Sequence, residues 1–143
     1  MKYRRLGKSD IVVSEIGFGA WTVGLNWWGK KIEDQDAIKM LNKAYDLGIT
    51  FYDTADIYGK GKSEKLIGET FKNTRNEVIY SSKWGYDIYN GEQVGHSEMP
   101  QKHNKTFLCY ALEQSLSRLQ TDYLDVYSLH NPKMAAIRDA PLF

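Results

Sequence analysis

Short apolar runs alternate along this chain with amphipathic stretches whose apolar residues recur at helical spacing. That alternation predicts strand, helix, strand, helix. Ahead of it, Tyr3–Leu6 and Ile11–Val13 flank Gly7-Lys8-Ser9-Asp10, turn residues that predict a small hairpin. Glu15–Gly19 then reads as the first strand of the repeat. A helix follows from about Asp34, with Ala37, Ile38, Leu41, Ala44 and Tyr45 on one face and Gly48 as its stop. Ile49–Tyr52 reads as the second strand. Ser63 is expected to cap the next helix, which buries Leu66, Ile67 and Phe71, and residues 73–76 connect onward. Val78–Ser82 is the third strand. The polar stretch Tyr86–Lys105 exceeds the usual connection of about 2–6 residues and is expected to be a functional loop over the strand ends. A helix burying Leu108, Leu112, Leu116 and Leu119 precedes the fourth strand, Leu124–Leu129.

Units of roughly 30 residues with right-handed crossovers imply an α/β fold with a parallel sheet of (β/α) barrel type. Three of the strands run into an ionisable residue: Asp53, Lys83 and His130. Chemistry in such barrels sits at that end of the strands. A complete barrel takes about 250 residues, whereas this chain has 143. The expectation is therefore a half-barrel: the first four β/α units behind an N-terminal hairpin, with residues 1–143 as the N-terminal half and the C-terminal half absent. Two sheet edges are then left open. A homo-oligomer, or a complementary half-barrel, is the partner expected to cover them.

Composition narrows the partners. A net charge of +1 supplies neither a basic field for nucleic acid nor a charged tail, so a small or polar partner is expected and no nucleic acid. The single cysteine, Cys109, cannot form an internal disulfide and sits among helix-forming residues, which suits a reducing compartment and a core position. Asp10 and Glu15 interrupt the start of the chain, and no apolar run approaches the ~18 residues of a membrane span. A cytoplasmic protein without membrane contact is expected. His96 and His103 lack ligand spacing to each other or to the cysteine and read as solvated; no metal is predicted. Gly59-Lys60-Gly61-Lys62-Ser63-Glu64 lacks P-loop spacing and reads as the start of a helix.

The segments Gly17–Trp21 (GFGAW), Tyr52–Gly68 (YDTADIYGKGKSEKLIG), Ser81–Gly85 (SSKWG) and Asp125–Pro132 (DVYSLHNP) occur in that order over the whole chain. They resemble the aldo-keto reductase family, in the branch with bacterial and archaeal reductases and potassium-channel β subunits. DTAxxYG followed by SK and LHNP is a specific combination, far more so than a lone glycine motif. The resemblance implies a catalytic tetrad of Asp53, Tyr58, Lys83 and His130. It also implies reduction of an aldehyde or ketone by hydride from a nicotinamide, usually NADPH, so NADP(H) is the implied cofactor and a small carbonyl compound the implied substrate. Gly19, Ala20 and Trp21, with Asp53, lie where this family places the nicotinamide and its ribose. The residues for pyrophosphate and adenosine phosphate lie largely beyond position 143, so the chain alone is expected to be weakly active or inactive.

The chemistry of these residue types agrees with that implication. Oxygen gains negative charge as a carbonyl accepts hydride, and a proton donor and fixed positive or hydrogen-bonding groups must meet it. An unassisted phenol is a sluggish acid at neutral pH, and an ammonium beside it favours the phenolate. Tyr58 is then the general acid, Lys83 its activator, Asp53 the group that holds the lysine charged and aimed, and His130 a donor to the substrate oxygen or a sharer of the proton. Taken singly, each has a structural reading: a half-buried loop aromatic, a solvated lysine, a capping aspartate, a strand-end histidine. Trp21, Tyr58, Trp84 and His130 are the candidate substrate contacts, with apolar packing the alternative for the two tryptophans. Trp27 and Trp28 are open between surface packing and ligand contact. Asp125 needs a backbone amide or a cation as partner. Two other functions remain to be weighed: a self-associating half-barrel acting as a scaffold or redox-sensing module, and a metal hydrolase using Asp53 and His130, in which Lys83 would repel the cation.

Overall fold

A computed structural model describes residues 1–24, 32–91 and 98–139. Strands β1 (Tyr3–Arg5) and β2 (Val12–Ser14) pair antiparallel, with Tyr3 opposite Ser14. The main sheet has four parallel strands: β3 (Phe18–Gly19), β4 (Phe51–Asp53), β5 (Ile79–Trp84) and β6 (Val126–Leu129), in the spatial order β3-β4-β5-β6. Gly19 lies opposite Asp53, Asp53 opposite Ser81, and Lys83 opposite Ser128. This register brings the carboxyl ends of neighbouring strands to one rim.

Between the strands run α1 (Trp21–Gly24), α2 (Asp34–Asp46), α3 (Lys62–Phe71) and α4 (Lys105–Leu119), and α5 (Met134–Asp139) follows β6. Ala37, Leu41 and Ala44 form the buried stripe of α2, as their spacing predicts, and Gly48 ends that segment at φ +85°. They meet Tyr52 and Tyr80 from the sheet, together with Ile67 and Phe71 from α3 and Leu119 from α4. The Tyr52 and Phe71 rings lie 4.6 Å apart between centroids. At the opposite, amino end of the strands, Arg75 sits 4.0 Å from the Tyr80 ring and 3.8 Å from that of Tyr123. Asp125 Oδ2 accepts from both the Arg75 guanidinium and the Tyr80 amide at 2.8 Å, the cation and amide that its position called for.

Several local expectations are corrected. Ser63 is not a cap: α3 starts after Gly61, whose left-handed φ of +88° turns the chain into the helix, and Ser63 is buried inside it. Along α4 the buried line is Phe107, Ala111, Ser115 and Leu119, while Leu108, Leu112 and Leu116 sit half-buried beside it. Ala111 and Ser115 in the middle of that line are fully buried. Cys109 falls on the other face and is exposed, not in the core. His103 is half-buried with its ring against Trp84, rather than solvated. Trp27, Trp28 and His96 lie outside the described residues. No helix among the described residues is long and apolar enough to cross a membrane.

Candidate active site

Successive side chains of a strand point to opposite faces. In β5, Tyr80, Ser82 and Trp84 therefore face the helices, while Ser81 and Lys83 face the other side. Asp53, opposite Ser81, shares that side. The consequence is a direct pairing: Lys83 Nζ donates to Asp53 Oδ2 at 2.6 Å and to the Thr54 carbonyl at 2.8 Å, and Ser81 Oγ donates to Asp53 Oδ1 at 3.0 Å. The lysine is about 19% exposed and the aspartate 36%, so the pair is partly shielded yet reachable from solvent.

The chain beyond β4 keeps following β5. The Thr54 amide donates to the Ser81 carbonyl at 2.8 Å and the Asp56 amide to that of Lys83 at 3.2 Å. A turn from Ala55 to Tyr58, closed by a 3.1 Å backbone bond, then carries the phenol back over the rim. Lys83 Nζ lies 5.3 Å from the centre of the Tyr58 ring. His130 follows β6, held by its amide to the Trp84 carbonyl at 2.8 Å, and meets Tyr58 edge to face at 5.5 Å between ring centres. All four candidate catalytic residues thus converge on one rim.

His130 is buried, and its Nδ1 finds no hydrogen-bond partner among the described residues. Burial, reinforced by the Lys83 ammonium and opposed by Asp53, pushes its pKa down to about 4. The imidazole is uncharged at neutral pH. On its other side stands Tyr86, 5.2 Å away between ring centres, whose hydroxyl donates to Glu98 at 2.8 Å. Gln101 donates to the carbonyls of His130 and Asn131, both at 3.2 Å, and so ties the loop to the strand end.

The remaining candidates divide. Gly19 ends β3 beside Asp53, and no described residue comes within 4 Å of the place where a Cβ would stand. Trp21, the first residue of α1, is about 39% exposed at the same rim. Ala20 is fully buried; its amide donates to the Asp53 carbonyl at 2.8 Å and its carbonyl accepts from Ser63 Oγ at 2.9 Å. It fixes the rim and offers no surface to a ligand. Trp84 is a second correction: being one residue past Lys83 turns it to the helix side, where it is 3% exposed and packs with Phe107 and Ala111. Thr54, Ser81, Tyr86 and Gln101 belong to the constellation and were not anticipated. Ser81 was within reach of sequence reasoning, two positions before Lys83 on the same face; Tyr86 and Gln101 carried no local signal.

Among the described residues there is no group of three or more His, Cys, Asp or Glu side chains that could hold a metal ion. The Lys83 ammonium already occupies the Asp53 carboxylate. The rim gathers an ammonium, a carboxylate, a phenol and an uncharged imidazole, groups that can move a proton or donate hydrogen bonds to an oxygen.

Comparison with known proteins gives the same direction. The model of the aldo/keto reductase family matches residues 15–137. Aldo-keto reductase YhdN of Bacillus subtilis is 36% identical over 134 residues, 92% of this chain and 38% of its own length. A probable voltage-gated potassium channel subunit beta of Oryza sativa is 31% identical over 137 residues, with the same shares covered. In structure, aldo-keto reductase AKR11C1 of Bacillus halodurans, in its holo form, superimposes with a TM-score of 0.79 at 34% identity, over 94% of this chain and 41% of that one. The chain spans about two fifths of the length of the curated relatives it matches.

Proposed function

Because this chain belongs to the aldo/keto reductase family, we propose that it forms the N-terminal half of a (β/α)₈ barrel and carries the catalytic rim of an NADP(H)-dependent carbonyl reductase. The observation that supports this most directly is the placement of Lys83 Nζ, bonded at 2.6 Å to Asp53 and 5.3 Å from the Tyr58 ring. An ammonium has three donors. Two go to Asp53 and the Thr54 carbonyl, and the third is left for the Tyr58 hydroxyl.

In this reading Asp53 holds the lysine charged and aimed, and Lys83 stabilises the oxygen of Tyr58 as the phenol gives its proton to the substrate. His130 is neutral, so it binds the carbonyl oxygen through one N–H; with Nδ1 buried, Nε2 is the nitrogen that meets it. Hydrogen bonding from both sides answers the charge that grows on oxygen in the transition state. The reduced nicotinamide supplies hydride when bound. The open space at Gly19 and the exposed Trp21 beside Asp53 fit a flat ring and its sugar; buried Ala20 supports them from below. Residues that grip the phosphates belong to the part of the barrel outside this chain.

The test is NADPH consumption with a simple aldehyde by the full-length protein carrying these residues, against its Tyr58→Phe variant. Loss of about 10²–10⁴-fold in turnover is expected for removal of a general acid. Near-normal turnover in the variant would discard the assignment. A second reading has its own observation: β3 and β6 are the outermost strands of the described sheet, and open edges invite pairing. A half-barrel that self-associates as a scaffold would show a dimeric mass in solution and no hydride transfer.

A further inference from the structure

Three residues in succession after Tyr58 take left-handed backbone angles: Gly59 at φ +65°, Lys60 at +52° and Gly61 at +88°. Lys60 has a Cβ, so this path carries strain that persists only where the surroundings over-determine it. Two contacts confine it. The backbone of Gly59 lies so close to Gly24 that a Cβ there would stand 2.1 Å from the Gly24 carbonyl oxygen. From the other side Arg118 of α4 lies across Gly61, where a Cβ would stand 2.3 Å from its Cδ and 2.6 Å from its Nε.

Arg118 is itself fixed. Its Nε donates to Glu64 Oε2 at 2.6 Å, and its Nη2 to the Tyr89 hydroxyl at 3.2 Å and Ser115 Oγ at 3.3 Å. Glu64 has no solvent exposure, and its second oxygen accepts from Ser82 Oγ at 2.6 Å. Ser82 immediately precedes Lys83. One buried carboxylate therefore ties the turn that carries Tyr58 to the strand that carries Lys83, from the face of the sheet opposite the reaction.

We propose that Glu64 and Arg118 are positioning residues that hold the Tyr58 phenol against the Lys83 ammonium. The proposal rests on the carbonyl-reductase reading above. Neither residue touches the reacting atoms. Their role is to keep the left-handed turn closed, because a small displacement of an acid from its substrate costs rate far more than it costs binding. Asp56 is buried and lies close enough to Glu64 and Arg118 to feel both charges. The cluster thus contains two carboxyl groups for one guanidinium.

The test compares three variants of the full-length protein: Glu64→Gln, the double change Glu64→Gln with Arg118→Met, and Tyr58→Phe. Each is measured for kcat and KM with NADPH and a simple aldehyde, for thermal midpoint, and for the nuclear Overhauser contact between the ring protons of Tyr58 and His130. For Glu64→Gln, kcat is expected to fall about tenfold to a hundredfold with KM within about threefold, and the ring contact to weaken. Replacing a buried pair by neutral groups commonly recovers stability. The double variant is therefore expected to regain its thermal midpoint while kcat stays low. Unchanged kcat and ring contact in folded Glu64→Gln, or kcat that recovers together with the midpoint, would overturn the proposal. If Glu64→Gln does not fold, the double variant decides alone. Failure of the reductase reading is separate: it appears as Tyr58→Phe matching the parent, and the ring contact still decides the role of the pair.

Discussion

A close ion pair lies on each side of strand β5. Lys83–Asp53 and Arg118–Glu64 are both 2.6 Å long, yet Asp53 is 36% exposed and Glu64 has no exposure at all. On the open face the lysine donates to two acceptors among the described residues, one short of its three donors; on the helix side the glutamate oxygens are taken up by Ser82 and Arg118. Bond length does not separate the two. What separates them is exposure and whether a donor is still free for a third group, which under the proposed function makes one pair part of the reaction and the other its support.

The comparison breaks first at Lys83→Met. If the open pair serves reaction, turnover should fall by about 10²–10⁴-fold while urea unfolding of the variant shifts little, because the lysine is partly solvated. Equal losses of turnover and stability would make the two pairs alike. Next comes Arg118→Met alone. It leaves Glu64 charged and unpaired in a dry site, and a loss of about 3–5 kcal/mol in unfolding free energy is expected. A loss below about 1 kcal/mol would mean that water reaches the pair.

A smaller effect sharpens the same contrast through pH. Burial, then the charge of Glu64, raises the Asp56 pKa from 3.8 to about 7, with Arg118 opposing. The folded state consequently holds a proton that the unfolded chain releases. Its contribution is fully present below about pH 4, is lost as pH rises through about 7, and is flat above that. Asp56→Asn cannot ionise. Its unfolding free energy should decline less than the parent's between pH 5 and 8, by on the order of 1 kcal/mol per pH unit at the steepest. Parallel curves would show that Asp56 is ionised throughout. At the low end stands the exposed pair Lys65–Glu69, 3.9 Å apart on α3; Glu69→Gln should change stability by less than about 0.5 kcal/mol.

Asp53, Lys83 and His130 were legible because each ends an apolar run, and an ionisable group there has few structural uses. Tyr58 was legible only through its motif, since nothing in a loop aromatic announces that the turn will fold back over the rim. Helix α2 follows its apolar spacing because its buried residues, Ala37, Leu41 and Ala44, recur at helical intervals with polar positions between them. In α4 the same logic goes to the leucines, while the buried line runs one position away, through Phe107, Ala111, Ser115 and Leu119. Trp84 was misplaced by a single residue, and in a strand one residue is a change of face. The Glu64–Arg118 pair left no trace in the sequence. Its members are 54 positions apart, and no periodicity spans that distance.

The spatial order of the parallel strands repeats their order along the chain. A polypeptide arranged in this way can add each strand to the one just before it while synthesis continues, without waiting for a distant edge. Asp53 and Lys83 can find each other while the segment bearing His130 is still inside the ribosome. The imidazole is the last of the four to arrive.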